Sequence, residues 1–311
     1  MIRHLNNNDI DRTKWDQCIR SSFNGLIYGY SWYLDIMAEG WDALVKGDYQ
    51  AVFPLTGAKK YGISYLFQPR FTQQLGIFST DLLSEETIEE FLNAIPKHYR
   101  LVDINLNSFN KLKTPDKRIR MWDTYELDLI RSYKQIAAGF SQNLRRNIKK
   151  ATGNKINVVK NMKPEEIIHL FRENKGKKMP HLQQNHYQKL RRMVYVALYK
   201  GMASVYGAFT PDNQLCAGAI FLISNKKAIF LFSGMDKTGR DNNAMSLLID
   251  TFIRDNARHH LTLDFEGSNQ PGLARFYSSF GSVKCRYPHL YMNRLPWVVS
   301  IALSAKRAFF H

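Results

Sequence analysis

Residues 203–234 hold three β-branched and aromatic runs, 203–209, 214–223 and 228–234, parted only by Pro211-Asp212-Asn213 and Ser224-Asn225-Lys226-Lys227. Turns that short join neighbouring strands as hairpins, so this segment must build a sheet. Around it the periodicity is helical. Ile136, Phe140, Leu144, Ile148 and Ala151 form one apolar stripe, predicting a helix over 132–152 that Gly153-Asn154 ends. Further helices are expected over 163–174 and 183–200, then after the strands over 242–258 and 271–280. A strand at 261–265 and a closing strand pair at 283–286 and 290–294 complete an α/β (α+β) lobe, a mixed, mostly antiparallel sheet flanked by helices.

The first 129 residues read as a second lobe of the same class. Ser31 is placed to cap a helix that stops by Gly40, and meander strands follow at 43–45, 49–55 and 63–67. Ser84-Glu85-Glu86-Thr87 opens an amphipathic helix carrying Ile88, Phe91, Leu92 and Ile95, and 101–106 and 122–127 alternate as strands do. A chain of 311 residues exceeds the size at which one core stops growing, and 44% apolar content fills two. The expected division is lobes at 1–129 and 130–295 with a tail, 296–311, that packs as a surface helix and is too short and too basic at Lys306-Arg307 to span a bilayer.

Charge is concentrated. Residues 129–211 carry seventeen Lys or Arg against Glu165, Glu166 and Glu173, which is fourteen of the chain's net seventeen positive charges. Such a stretch attracts polyanions, namely cofactor phosphates, a tRNA or an anionic membrane surface, or serves as a solvated face. Cys18, Cys216 and Cys285 are too scattered for zinc, so no metal is expected. The opening residues lack an apolar signal core, which points to the cytoplasm, with peripheral contact at the inner membrane surface as a sharper option.

Particular segments resemble the GNAT acyltransferases. Gly272-Leu273-Ala274-Arg275-Phe276-Tyr277, leading to Phe280-Gly281, looks like the late helix of that family, whose Tyr protonates the departing thiolate of coenzyme A. Phe140-Ser141 through Arg145-Arg146-Asn147-Ile148-Lys149-Lys150-Ala151, with Phe232-Ser233-Gly234-Met235-Asp236 and Leu263-Asp264-Phe265-Glu266-Gly267, is similar to FemABX-like double-GNAT acetyltransferases. The resemblance implies two tandem GNAT-like lobes, an acyl-CoA co-substrate such as acetyl-CoA, and catalysis in the second lobe. Two departures stand out: the pyrophosphate loop reads Arg240-Asp241-Asn242-Asn243-Ala244-Met245, with both family glycines replaced, and no coiled-coil arm of the tRNA-using members is present.

Acyl transfer to an amine needs the donor's phosphates held, a base for the amine and an acid for the leaving group. The helix start at Asn242, Asn243 and Ala244, after Lys237 and Arg240, can turn backbone N–H groups toward a pyrophosphate, and Asn243 tolerates the left-handed backbone a Gly would supply. Asp264 and Glu266 alternate with Leu263 and Phe265, which puts both carboxylates on one strand face. Glu266 is the expected base, and Asp264 reads first as a turn or ion-pair residue. Tyr277 is the expected acid by resemblance, against the ordinary fate of a core aromatic. Arg145, Arg146, Lys149 and Lys150 form a solvated helical face or bind an anionic acceptor. The resulting expectation is an acyl-CoA-dependent N-acyltransferase working by direct attack on a small-molecule or peptide-like amine. Its rivals are a FemABX-type aminoacyltransferase using aminoacyl-tRNA on a cell-wall precursor, and a non-catalytic nucleic-acid-binding protein.

Overall fold

The computed structural model describes residues 1–112, 116–267 and 270–296. Its contacts divide the chain into two units, Met1–Trp122 with the segment from Arg286 onward, and Asp123–Cys285.

The first unit runs β1 (Ile2–Leu5), α1 (Arg12–Ser21), α2 (Ser31–Met37), β2 (Asp42–Lys46), β3 (Ala51–Leu55), β4 (Gly57–Lys60), β5 (Ile63–Phe67), β6 (Phe78–Ser79), α3 (Glu85–Ala94) and β7 (Tyr99–Asn105). Strands β1, β2, β3 and β6 form one sheet, and β4, β5 and β7 lie in a second. The expected helices and meander are present, with one local correction. Ser31 is not a cap but the first helical residue, because its N–H and hydroxyl both donate to Asp16 at 2.7 and 3.0 Å. Helix α3 buries Ile88, Phe91 and Leu92 against Val102 and Ile104 of β7, as its spacing predicts. The loop before α3 is held by buried amides. Nδ2 of Asn24, Asn107 and Asn110 all donate to the Ile77 carbonyl at 2.8 to 3.0 Å.

The second unit takes in β8 (Ile119–Asp128) from Asp123 onward, then α4 (Tyr133–Ala138), α5 (Gln142–Gly153), β9 (Asn157–Lys160), α6 (Pro164–Glu173), α7 (Gln184–Tyr199), β10 (Ala203–Phe209), β11 (Leu215–Ser224), β12 (Lys227–Met235), α8 (Lys237–Asp241), α9 (Ala244–Asn256), β13 (Thr262–Gly267) and α10 (Pro271–Ser278). The sheet order is β8-β13-β12-β11-β10-β9, antiparallel except for the β12–β13 pair. The single helix expected over 132–152 is two: Gly139 caps α4 and the Ser141 hydroxyl opens α5 by accepting the Leu144 N–H at 3.1 Å. On one side of the sheet Phe252 of α9 stacks on Phe221 of β11 with centroids 3.8 Å apart. Helix α6 lies against β12 so closely that a Cβ on Gly234 would stand 2.7 Å from the Ile167 carbonyl oxygen and the Phe171 nitrogen.

The closing strand pair expected at 283–286 and 290–294 is one strand, β14 (Val283–Asn293), whose residues His289–Asn293 pair antiparallel with Asn105–Leu101 of β7. The pairing gives its latter part to the first unit, so the boundaries fall at Trp122/Asp123 and Cys285/Arg286 rather than at 129 and 295. The expected tail helix lies outside the described residues after Pro296. Among the described residues no helix is long and apolar enough to cross a membrane, and no group of three or more His, Cys, Asp or Glu is placed to hold a metal.

Candidate active site

Strands β12 and β13 pair in parallel through only three residues each, Lys227, Ala228 and Ile229 against Thr262, Leu263 and Asp264. Beyond that point β12 runs on to Met235 without β13. The separation has a local cause. Between Asp264 and Gly267 the register against β8 slips by one residue, and Glu266 there has φ of +61°, the signature of a bulge that bends its strand. A cavity of about 810 Å³ lies along the same stretch of β12, lined by Phe230, Ser233 and Met235 of β12, Phe171 and Glu173 of α6, and Leu273, Phe276 and Tyr277 of α10. Asn147, Asn174, Lys175, Lys178, Arg240, Asn243, Met245 and Ser246 complete its wall.

The turn carrying Arg240 and Asn243 is tightly fixed. Asp236 caps α8 by accepting the Gly239 N–H at 2.7 Å, and a Cβ on Gly239 would sit 2.2 Å from the Cys216 carbonyl oxygen, so the turn is pressed onto β11. Asn242 accepts from Asn154 Nδ2 at 2.6 Å, tying the turn to the end of α5. Asn243 then adopts the left-handed conformation its side chain tolerates, φ +55° and ψ +33°, as the cap residue of α9. Its side chain makes no capping bond and the first turn of α9 holds no acid; the Ser246 N–H donates to the Asn243 carbonyl at 3.0 Å, so it is the N–H groups of Ala244 and Met245, with the positive end of the helix dipole, that their own helix does not neutralise. Ala244 is fully buried behind them, and Ser246, 3% exposed, faces the cavity one turn in. Lys237 is exposed at the start of α8 and is not part of the wall.

Tyr277 is 7% exposed and stacks on Phe265 with centroids 5.0 Å apart. Burial pushes its phenol well above the usual range, and the negative charge of Glu266 adds to the effect. The expected pairing of Asp264 and Glu266 on one strand face does not survive the bulge, which breaks the period of two between them. Asp264 is a structural group: 2% exposed, it accepts the Thr124 hydroxyl at 2.6 Å and the Glu266 N–H at 2.9 Å, and pairs with Lys227 at 3.5 Å. Lys227 in turn donates to Glu126 at 2.6 Å. Burial works to lower the Lys227 ammonium, and the two neighbouring carboxylates outweigh it and raise it, so the lysine stays charged. Neither Asp264 nor Glu266 is part of the cavity wall.

The sequence therefore locates Tyr277, Arg240 and Asn243 in one cavity, and misses the rim supplied by Glu173, Asn174, Lys175 and Lys178. Lys177 hydrogen-bonds Glu173 and holds its carboxyl below the usual range. The signal for this rim is the Lys175-Gly176-Lys177-Lys178 run directly after an amphipathic helix, which composition merges with the rest of the basic stretch. Arg145, Arg146, Lys149 and Lys150 are all exposed on α5, with Arg145 donating to the Ala138 carbonyl at 2.7 Å; Asn147 between them is the α5 residue that reaches the wall.

No protein-family model and no curated protein matches this sequence. Among solved structures the crystal structure of FemX superposes with a TM-score of 0.66 over 90% of this chain and 96% of its own, at 12% identity. The chain has the FemX fold. The same architecture recurs in the C-terminal domain of a putative lysylphosphatidylglycerol synthetase from Agrobacterium fabrum, with TM-score 0.57, 8% identity, and coverage of 94% of this chain and 95% of that one. It recurs again in L-PGS from Bacillus licheniformis, with TM-score 0.55, 12% identity, and coverage of 95% and 96%. The FemABX-like, double-lobed resemblance expected from the sequence is thus met at the level of fold. At such identities the FemX fold says nothing of individual side chains, and the cavity's chemistry rests on the residues of this chain.

Proposed function

We propose that the second unit is an acyl-CoA-dependent N-acyltransferase. The observation that carries this reading is the convergence, where β12 and β13 part, of the open α9 N-terminus, Arg240 and Tyr277 on one cavity. A phosphate-bearing donor has its anionic part met by Arg240 and the α9 amides. The strand edge of β12 beyond Ile229, no longer paired to β13, offers backbone groups to the donor's amide arm. The acceptor nitrogen, its ammonium proton first lost to water, attacks the thioester carbonyl, the carbon–sulfur bond breaks, the leaving sulfur takes a proton from the Tyr277 hydroxyl, and the phenolate is reprotonated through water by the proton that the new amide nitrogen gives up. Glu266 supports that step by keeping the phenol protonated until the leaving group needs it. Glu173, ionised at the rim, attracts an ammonium-bearing acceptor rather than deprotonating it.

A second reading, transfer from an aminoacyl-tRNA, is favoured by one observation. Burial raises the Tyr277 phenol, and a raised phenol also suits an ester donor, whose alkoxide leaving group takes a proton more readily than a thiolate does. Parallel titrations of the full chain with acetyl-CoA and with charged and uncharged tRNA, repeated on Arg240→Ala, separate the two. Saturable acetyl-CoA binding that weakens in the variant supports the thioester reading. Binding of charged tRNA alone overturns it in favour of the ester, and equal, strongly salt-dependent binding of both tRNA pools without transfer argues for nucleic-acid binding instead.

A further inference from the structure

From the way carbon and charge are distributed over the cavity wall, we infer that the acyl group carried into this site is a long apolar chain rather than acetyl. The inference rests on the donor reading above and deepens it. Charge and carbon occupy different depths. Lys175, Lys178 and Arg240 are exposed, whereas Phe171, Phe230 and Met245 are buried at 6%, 7% and 8% exposure, and all six line the same space. The apolar side chains come from three elements that do not otherwise share a stripe: α6 gives Phe171, β12 gives Phe230, and α9 gives Met245. A surface of this kind does not arise from one amphipathic helix turned the wrong way.

Its size points the same way. About 810 Å³ lies toward the upper end of the range of roughly 300 to 1,000 Å³ in which pockets enclose most of a drug-sized ligand. Even with the donor's amide arm laid along β12 in the same space, an acetyl group leaves aromatic and thioether walls against water, whereas an alkyl chain removes that surface from solvent. An aminoacyl group fits the interior poorly for the opposite reason. Among the described residues lining the cavity the one carboxylate is Glu173, which is exposed, so a buried ammonium would have no counter-charge at depth. An anionic head on exposed cations with a chain among buried carbon is the arrangement that matches both parts of the wall.

The test is calorimetric titration of the full chain with CoA and with acetyl-, butyryl-, octanoyl- and dodecanoyl-CoA, each below its micelle concentration. Affinity is expected to rise by roughly fourfold for each methylene that becomes buried, as the transfer free energy of a methylene requires. Met235→Trp from the strand side and Leu273→Trp from the α10 side narrow the space, and either is expected to lower the ratio of dodecanoyl-CoA to CoA affinity by about tenfold or more. A second variant guards against misfolding of the first. An affinity that is flat or falls beyond acetyl, with CoA still bound, overturns the long-chain inference and leaves the donor reading standing. No binding of any CoA compound overturns both.

Discussion

Each unit contains a strand, a crossover helix and a second strand parallel to the first, and the two crossovers begin in opposite ways. In the first unit α3 starts with the Ser84 hydroxyl accepting the Thr87 N–H at 3.2 Å, and Glu85 and Glu86 occupy its first turn. Its flanking strands stay paired along their length, from Ser64–Phe67 to Tyr99–Asp103. In the second unit α9 starts from a left-handed Asn243 with no capping bond and no acid, and β12 and β13 part after three residues. Helix α3 spends its own side chains on its terminus, while α9 leaves those N–H groups and its dipole to whatever enters the cavity. One supersecondary unit, used twice, becomes a candidate site only where it does not satisfy itself.

Substitutions at four positions test that contrast. The largest effect is expected in Tyr277→Phe, which removes the acid and keeps the stacked ring. Turnover should fall by roughly 10²- to 10⁴-fold with little change in donor affinity, and unaltered turnover would take Tyr277 out of the chemistry. Next is the left-handed cap: Asn243→Ala should cost about 1 to 2 kcal/mol of stability in denaturant unfolding, and Asn243→Gly should not. In the first unit Ser84→Ala should cost about 1 kcal/mol, as loss of a cap does, without touching donor affinity. A weakened donor in this variant would place the anion site on the wrong helix. The smallest effect is electrostatic. The charge of Glu266 opposes ionisation of Tyr277, so Glu266→Gln should move the alkaline limb of the pH–rate profile to lower pH. A limb that stays where it is would mean that Glu266 does not act on this phenol.

Much of the second unit was legible because its elements are long and strongly patterned. The three strands over 203–234, the crossover helix and α10 all fall where periodicity and turn chemistry put them. The left-handed Asn243 was also readable, since an Asn in place of a loop Gly has few other reasons to be there. What the chain hid was non-local. The bulge at Glu266 is a register slip against β8, more than a hundred residues away in sequence, so strict alternation misassigned the faces of Asp264 and Glu266. The break between α4 and α5 was concealed by an apolar stripe that continues across Gly139. The exchange of β14 into the first unit depends on its pairing with β7, which no local pattern encodes. The rim residues Glu173, Lys175 and Lys178 belong to the cavity only because α6 packs onto Gly234 and delivers its last turn there.

The most direct test of the claim that the α9 terminus holds the donor is to follow backbone amide resonances during titration with CoA. The account predicts saturable shifts of Ala244 and Met245, with Thr87 and Ile88 at the start of α3 unmoved. Shifts confined to α3, or none at α9 at saturating CoA, would contradict it.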